Sequence, residues 1–231
     1  MKLNNLELHK FFQEKGITHL YHANTVTTSI SFIQAGGLLS RGDVEKNDLL
    51  QTAQESDGVD KTFDVWNDIF LDTADLHKLF SRQNRYGPVL FVFDVNLLLK
   101  DNVEIWITKN NPIYWHSGFS RSDMYFQNVS ELRDKWDSIE RQRKMVTLRK
   151  PNKPLLFSSL SHIIVDEPCV SICGDINLYE EMKQALFEAT EDLEWLRKKI
   201  NIRNCGHCFC QNNYLNEVSD KELKKLFLPN I

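Results

Sequence analysis

Tyr21-His22-Ala23-Asn24, followed one short segment later by Gly36-Gly37-Leu38-Leu39-Ser40-Arg41, is the stretch that decides how the chain reads. The apolar run from Ile17 to Tyr21 reads as a strand over residues 17–22 that delivers His22. Val26, Ile30 and Ile33 then recur at helical spacing, which gives a helix over 25–35. The Gly pair ends it, because glycine takes the left-handed conformation at a helix C-terminus without steric cost. A strand-borne His beside a small polar residue can hydrogen-bond a ribose hydroxyl and a carboxamide. Arg41 can meet a phosphate in bidentate fashion. Tyr21, His22, Asn24 and Arg41 thus form the first part of a dinucleotide site that is not a Rossmann site. The same residues also fit a buried His closing a strand and an ordinary Gly cap, and both readings stand at this point.

Around this stretch lies a chain of 231 residues, 42% hydrophobic with 14 Phe, ample for a sizeable core. Its 28 basic and 32 acidic residues give a net charge of −4, which does not suggest a general polyanion binder. A local basic groove is still compatible with that balance. No apolar run approaches a membrane span, and Glu7 and Glu14 interrupt any signal-peptide core, so a cytoplasmic protein is expected. In that compartment the five Cys are expected to be thiols or metal ligands rather than a disulfide frame.

The elements are short and irregularly mixed. Helices are expected over 5–15, 74–80, 132–141 and 220–227, with one long amphipathic helix over 178–200. Strands are expected over 65–71, 89–94, 103–108, 145–148 and 161–165. Val89 to Phe93 is apolar on both faces and reads as a central strand. Residues 42–62 are polar without a clear period, which predicts a mobile loop with one helical turn, acting as a lid that orders over ligand. The order argues α+β rather than a doubly wound sheet. Two units are expected: residues 1–176, and a C-terminal helical extension over 177–231 that carries a Cys-rich turn.

In this order of elements the chain resembles the DarT-type ADP-ribosyltransferase toxins, which use NAD to modify nucleic acid. The resemblance runs over residues 17–168. It rests first on Tyr21, His22, Asn24 and the Gly37 to Arg41 run, then on Val89 to Phe93 and Ile105 to Thr108. Lys135-Trp136-Asp137, the Arg141 to Thr147 step, Pro154-Leu155-Leu156 and His162 to Val165 follow in the family's order. The resemblance implies an ADP-ribosyltransferase-like mixed sheet with flanking helices and an NAD pocket. One position departs: where the family carries its catalytic Glu, this chain has Lys144 or Met145. The family's Arg in the variable loop has no counterpart either, since residues 42–62 contain none.

Transfer of ADP-ribose breaks the bond from nicotinamide to ribose through an oxocarbenium-like state, which a carboxylate can stabilise. The same group can serve as general base for the acceptor. Glu140 and Glu167 are the candidate substitutes, and Gln142 could orient the ribose without a carboxylate. The basic residues Arg141, Arg143 and Lys144 head the densest basic stretch, over 133–153, a candidate phosphate-tracking surface. Asp68, Asp72, Asp75 and His77 match no metal spacing and read as a solvated turn. Cys205, Cys208 and Cys210 lie close enough for a zinc ion, with His207 or Cys169 as fourth ligand.

The sequence therefore points to an NAD-dependent ADP-ribosyltransferase acting on DNA or RNA. The resemblance implies a bacterial toxin of a toxin–antitoxin or phage-defence system, with an antitoxin protein or chaperone as partner. An NAD glycohydrolase and a catalytically inactive transferase-fold interaction module are the alternatives.

Overall fold

The structure, a computed structural model, describes residues 1–79, 86–100, 103–206 and 208–229, and the side chains of residues 209 and 210 fall outside the description. The chain runs through α1 (Asn5–Glu14), β1 (His19–Asn24), α2 (Val26–Ala35), β2 (Gly37–Leu38), α3 (Arg41–Lys46), α4 (Asp57–Thr62), β3 (Ile69–Leu71) and α5 (Leu76–Leu79). Next come β4 (Val89–Asp94), β5 (Ile105–Ile107), α6 (Arg121–Met124), α7 (Val129–Lys135), β6 (Val146–Leu148), β7 (Leu155–Leu156) and β8 (Leu160–Glu167). It closes with β9 (Ser171–Ile172), β10 (Ile176–Asn177), α8 (Leu178–Ala189), α9 (Glu194–Arg197), β11 (Ile200–Asn204), α10 (Phe209–Asn216) and α11 (Asp220–Phe227).

Two sheets carry the architecture, in the orders β1-β4-β8-β11 and β3-β6-β5. The class is α+β, as the element order predicts. In β4, Val89 to Phe93 are all buried, so this strand sits between layers with β1 and β8 antiparallel on its two edges. The sheets meet at one backbone bridge. Tyr21 N donates to Asp72 O at 2.9 Å and Asp72 N returns to Tyr21 O at 2.8 Å. That bridge places the middle of β1 beside the end of β3.

α2 starts at Thr25, whose side chain accepts from Thr28 N, and ends at Gly36 with φ 71°. Gly37 then lets β2 close on β7, where a Cβ would stand 2.5 Å from Leu155 O. Residues 42–62 hold more regular structure than a loop with one helical turn. They contain α3, capped by Ser40, and α4, and the span between is fastened to α2. Ser31 Oγ donates to Leu50 O at 2.5 Å, and Thr52 N donates to Thr28 Oγ1 at 3.0 Å. The polar residues that hide any period are here spent on caps and tethers.

The C-terminal region corrects the expectation of one helix over 178–200. α8 stops at Ala189, where Thr190 is buried and its hydroxyl donates back to Leu186 O at 2.8 Å. Such back-bonding competes with helix continuation. After α9, β11 joins β8 in parallel, with Ile200 opposite Ile163. Its β-branched Ile200 and Ile202 suit a strand. One buried cluster runs from Leu3 to Phe227, so residues before and after 176 share a core. The helix expected over 132–141 is shorter and earlier, α7, and gives way to a 3-10 turn at Trp136–Ser138. The strand expected over 65–71 narrows to β3, and Phe80 of the 74–80 helix lies outside the described residues.

Gly87 fixes the last turn before β4. It has φ +124°, and a Cβ there would fall on the carbonyl of Asn24. Gly87→Ala is expected to cost about 1–3 kcal/mol in urea unfolding. Gly58→Ala, in α4 with nothing within 4 Å of the added Cβ, is expected to be neutral or stabilising by up to about 1 kcal/mol.

Candidate functional site

The bridge between the two sheets opens a cavity of about 300 Å³, bounded by β1, the α3–α4 arm and the 3-10 turn at Arg141–Arg143. Its lining includes His22, Asn24, Phe32, Arg41, Trp66, Asp72, Tyr114, Glu140, Gln142 and Arg143. Residues that the sequence scatters over the chain are thus brought to one place.

His22 is held in a single protonation and tautomer. Its Nδ1 lies 2.8 Å from the carbonyl oxygen of Phe70. A carbonyl only accepts, so Nδ1 carries the hydrogen and Nε2 holds a lone pair. Burial pushes the His22 pKa down, which keeps the ring neutral. Asn24 Nδ2 donates to Nε2 at 3.3 Å, while Asn24 Oδ1 accepts from Thr25 N at 2.9 Å, and this fixes the amide's orientation. Phe32 covers the ring, with centroids 5.6 Å apart.

Arg41 reaches the same cavity from the start of α3. Its Nη2 donates to Asp57 Oδ2 at 2.8 Å and Thr52 O at 3.1 Å, and its guanidinium lies over Trp66 at 5.2 Å. Nε stands 2.8 Å from Asp57 Oδ1 without hydrogen-bond alignment. Nη1 is buried with no hydrogen-bond partner among the described residues. An unpaired buried donor on a cation is costly, and a phosphate oxygen in the cavity would satisfy it.

Four carboxyl groups line the cavity as well. Glu140 Oε2 accepts from Gln142 Nε2 at 2.7 Å and from Arg143 Nε at 3.0 Å, and its side chain is 61% exposed. Asp72, Asp60 and Asp68 also line the cavity. Burial pushes Asp72 up to about 7. Burial raises Asp60 and Asp68 to about 6, in Asp68 against the pull of Arg149. Asp68 and Asp75 are buried and ion-paired to Arg149 and Arg203, not in a solvated turn. In sequence Asp72 reads only as part of a solvated turn. Its only signal is its place at the end of an apolar run facing the His22 strand, which is a pairing that a single sequence does not reveal.

Other candidates sit elsewhere. Tyr21 is not in the lining; its hydroxyl is raised first by burial and then by Asp75. Glu167, at the end of β8 opposite Asn204, is also outside it. Arg141 donates to Thr73 O at 2.5 Å. Lys144 corrects the nucleic-acid reading: it is 2% exposed, and its ammonium donates to the carbonyls of Trp136 and Ile139. Burial lowers it to about 8. Most of the 133–153 basic stretch is similarly spent on partners: Arg133 on Glu14, Lys135 on Glu131, and Lys150 on Asp64. Arg143 alone of the three proposed contacts lines the cavity. Cys205 and Cys208 approach His77 from after β11, while the Cys210 side chain and His207 lie outside the described residues.

No model of a known protein family matches the chain, and no curated protein does. Solved structures do. DarT of Thermus sp. 2.9 in complex with ADP-ribosylated ssDNA is 12% identical with a TM-score of 0.52, over 81% of this chain and 95% of that one. The same protein in complex with NAD+ is 12% identical with a TM-score of 0.48, over 81% and 96%. Thermosipho africanus DarTG in complex with ADP-ribose is 12% identical with a TM-score of 0.45, over 81% and 50%. The chain has the DarT-type α+β ADP-ribosyltransferase fold.

Two outcomes follow from the site's electrostatics. Lys144→Ala is expected to cost about 2–4 kcal/mol in urea unfolding, through lost packing and two stranded carbonyls. Arg143→Ala is expected to stay within about 0.5 kcal/mol of the parent. For Asp72, the folded pKa of about 7 lies above the ordinary carboxylate value. The stability it contributes is therefore fully present below that ordinary value and is lost as pH rises through about 7. Asp72→Asn, a stand-in for the protonated acid, is expected to leave Tm unchanged at pH 4 and raise it by a few degrees at pH 8. Equal shifts at both pH values would contradict a buried, raised Asp72.

Proposed function

We propose that the chain is an NAD-dependent ADP-ribosyltransferase whose acceptor is single-stranded nucleic acid, with DNA the first choice. The observation that carries the reading is the cavity itself. It holds a neutral His22 whose Nε2 is met by Asn24 Nδ2 at 3.3 Å, an Arg41 Nη1 with no partner among the described residues, and several carboxyl groups in its lining. The fold likeness to a DarT complexed with ADP-ribosylated ssDNA supports both the donor and the acceptor class. We assign the reaction to residues 1–176, a reading supported by a described lining that reaches no further than Met145. Residues 177–231 are an extension that completes the core. The toxin role, in a bacterial toxin–antitoxin or phage-defence system with an antitoxin partner, rests on the family resemblance. No described helix is long and apolar enough to cross a membrane, and we place the protein in the cytoplasm.

In this mechanism Arg41 Nη1 takes a pyrophosphate oxygen, and a ribose hydroxyl or the carboxamide donates to His22 Nε2 in place of the 3.3 Å contact from Asn24 Nδ2. The nicotinamide–ribose bond then breaks, its electron pair leaves with the nicotinamide nitrogen, and positive charge develops on the ribose. Glu140, at the cavity rim, stabilises that charge in place of the family Glu. The acceptor nitrogen or oxygen attacks the ribose carbon and gives up its proton. Asp72 is poised near neutral pH to receive it. Arg143, beside Glu140, meets the acceptor phosphate.

The test is labelled NAD incubated with single-stranded DNA, single-stranded RNA or neither. Label is expected on the DNA. His22→Ala is expected to lower turnover by about 100-fold or more while the protein stays folded, because misplacing the donor costs that much. Turnover is expected to rise with pH through about 7, a limb that Asp72→Asn removes. Release of free ADP-ribose alone would indicate a glycohydrolase, and absence of NAD turnover would indicate an inactive transferase fold.

A further inference from the structure

Three ligand-bearing side chains, one of them at least 128 residues before the other two, meet beside the outer edge of the main sheet. His77 comes from α5, Cys205 follows β11, and Cys208 caps α10. Their ligand atoms lie within 4.8 Å of one another. His77 Nε2 stands 3.7 Å from Cys205 Sγ and 3.8 Å from Cys208 Sγ. Ligands of a tetrahedral ion with bonds of about 2.0–2.3 Å stand about 3.6 Å apart, so the spacing suits zinc.

The surroundings orient the trio. His77 Nδ1 lies 2.9 Å from Asp166 Oδ2, and this carboxylate is fully buried. The carboxylate accepts, so Nδ1 carries the hydrogen and Nε2 turns its lone pair toward both sulfurs. A carboxylate behind a ligating His is the usual outer partner of a zinc ligand, fixing tautomer and raising basicity. Asp166 is itself held by Arg203 Nε at 2.6 Å. We propose that His77, Cys205 and Cys208 bind one zinc ion in the reduced chain, tying α5 to the β11–α10 corner. The fourth position falls to water or to Cys169, whose sulfur stands beside Gly206.

Cys208 is disulfide-bonded in this structure, so the ion-binding form requires reduction. A dithiol such as dithiothreitol supplies two electrons and two protons, gives two thiols, and closes to its own cyclic disulfide. Zinc then displaces the protons of Cys205 and Cys208, which pass to solvent. Zinc and disulfide are thus exclusive states of one corner. Leu76, next to His77, lines the large cavity, so the ion also anchors one of its walls. The site does not depend on the transfer reaction.

The test titrates Co2+ and then Zn2+ into the full chain, reduced and freed of metal, in parallel with the oxidised chain. The reduced chain is expected to take about one equivalent of Co2+ with a thiolate-to-cobalt absorption that Zn2+ removes. The oxidised chain is expected to show none. His77→Ala should weaken Co2+ binding at least about 10-fold. His77→Cys should keep the stoichiometry with a stronger thiolate absorption, a change that a merely structural His would not produce. No absorption in the reduced chain, or absorption undiminished in Cys205→Ser, would overturn the site.

Discussion

A single imidazole-to-carbonyl hydrogen bond organises the site. His22 Nδ1 donates to Phe70 O across the seam where the two sheets meet, next to the Tyr21–Asp72 backbone bridge. β1 is fixed on its other edge by β4, with His22 opposite Phe91. The ring therefore cannot turn without losing its bond to Phe70 O. Its tautomer, its neutrality and the direction of Nε2 all follow. Asn24, two residues on and on the same face of the strand, is locked by its own contact to Thr25 N. Gly87 lies against the Asn24 carbonyl and so transmits the β4 turn into the site.

The cavity carries unbalanced electrostatics for a reason. Among the described residues, Arg41 is paired through one side of its guanidinium and has no partner at Nη1, while half-buried Asp72 has no cation to lower its raised pKa. Each arrangement weakens the free protein, and groups of this kind cluster at functional sites. A pyrophosphate would satisfy the first, and a proton arriving from an acceptor would suit the second. The basic residues behave in the opposite way. Arg149 and Lys150 are neutralised by Asp68 and Asp64, and Lys144 serves backbone carbonyls. The acidic net charge is thus distributed so that little free positive surface remains around the 133–153 stretch.

Much of this was legible in the chain itself, and the reasons are local. The β1–α2–Gly36 sequence carries its own period and cap, so the strand, the helix and the His22 position could be read directly. Val89 to Phe93 announced a central strand by being apolar throughout. Glu140 and Gln142, weighed as substitutes for the unmatched family carboxylate, line the cavity. What stayed hidden is decided by tertiary partners. Lys144 looks like a surface cation until Trp136 and Ile139 turn their carbonyls to it. Asp72 looks like a turn residue until β1 pairs with it. Ile200 looks like a helix end until β8 offers an edge to Ile200–Asn204. His77 is 128 residues from Cys205, a distance at which spacing rules say nothing.

The most direct measurement is a crystal structure of the chain with carba-NAD, in which the scissile nitrogen link cannot be cut. The account predicts the nicotinamide riboside against His22 and Asn24, with His22 Nε2 within hydrogen-bond distance of the ligand. It also predicts a pyrophosphate oxygen on Arg41 Nη1. A ligand seated away from β1, or an Arg41 that keeps Nη1 unpaired while the dinucleotide is bound, would contradict it.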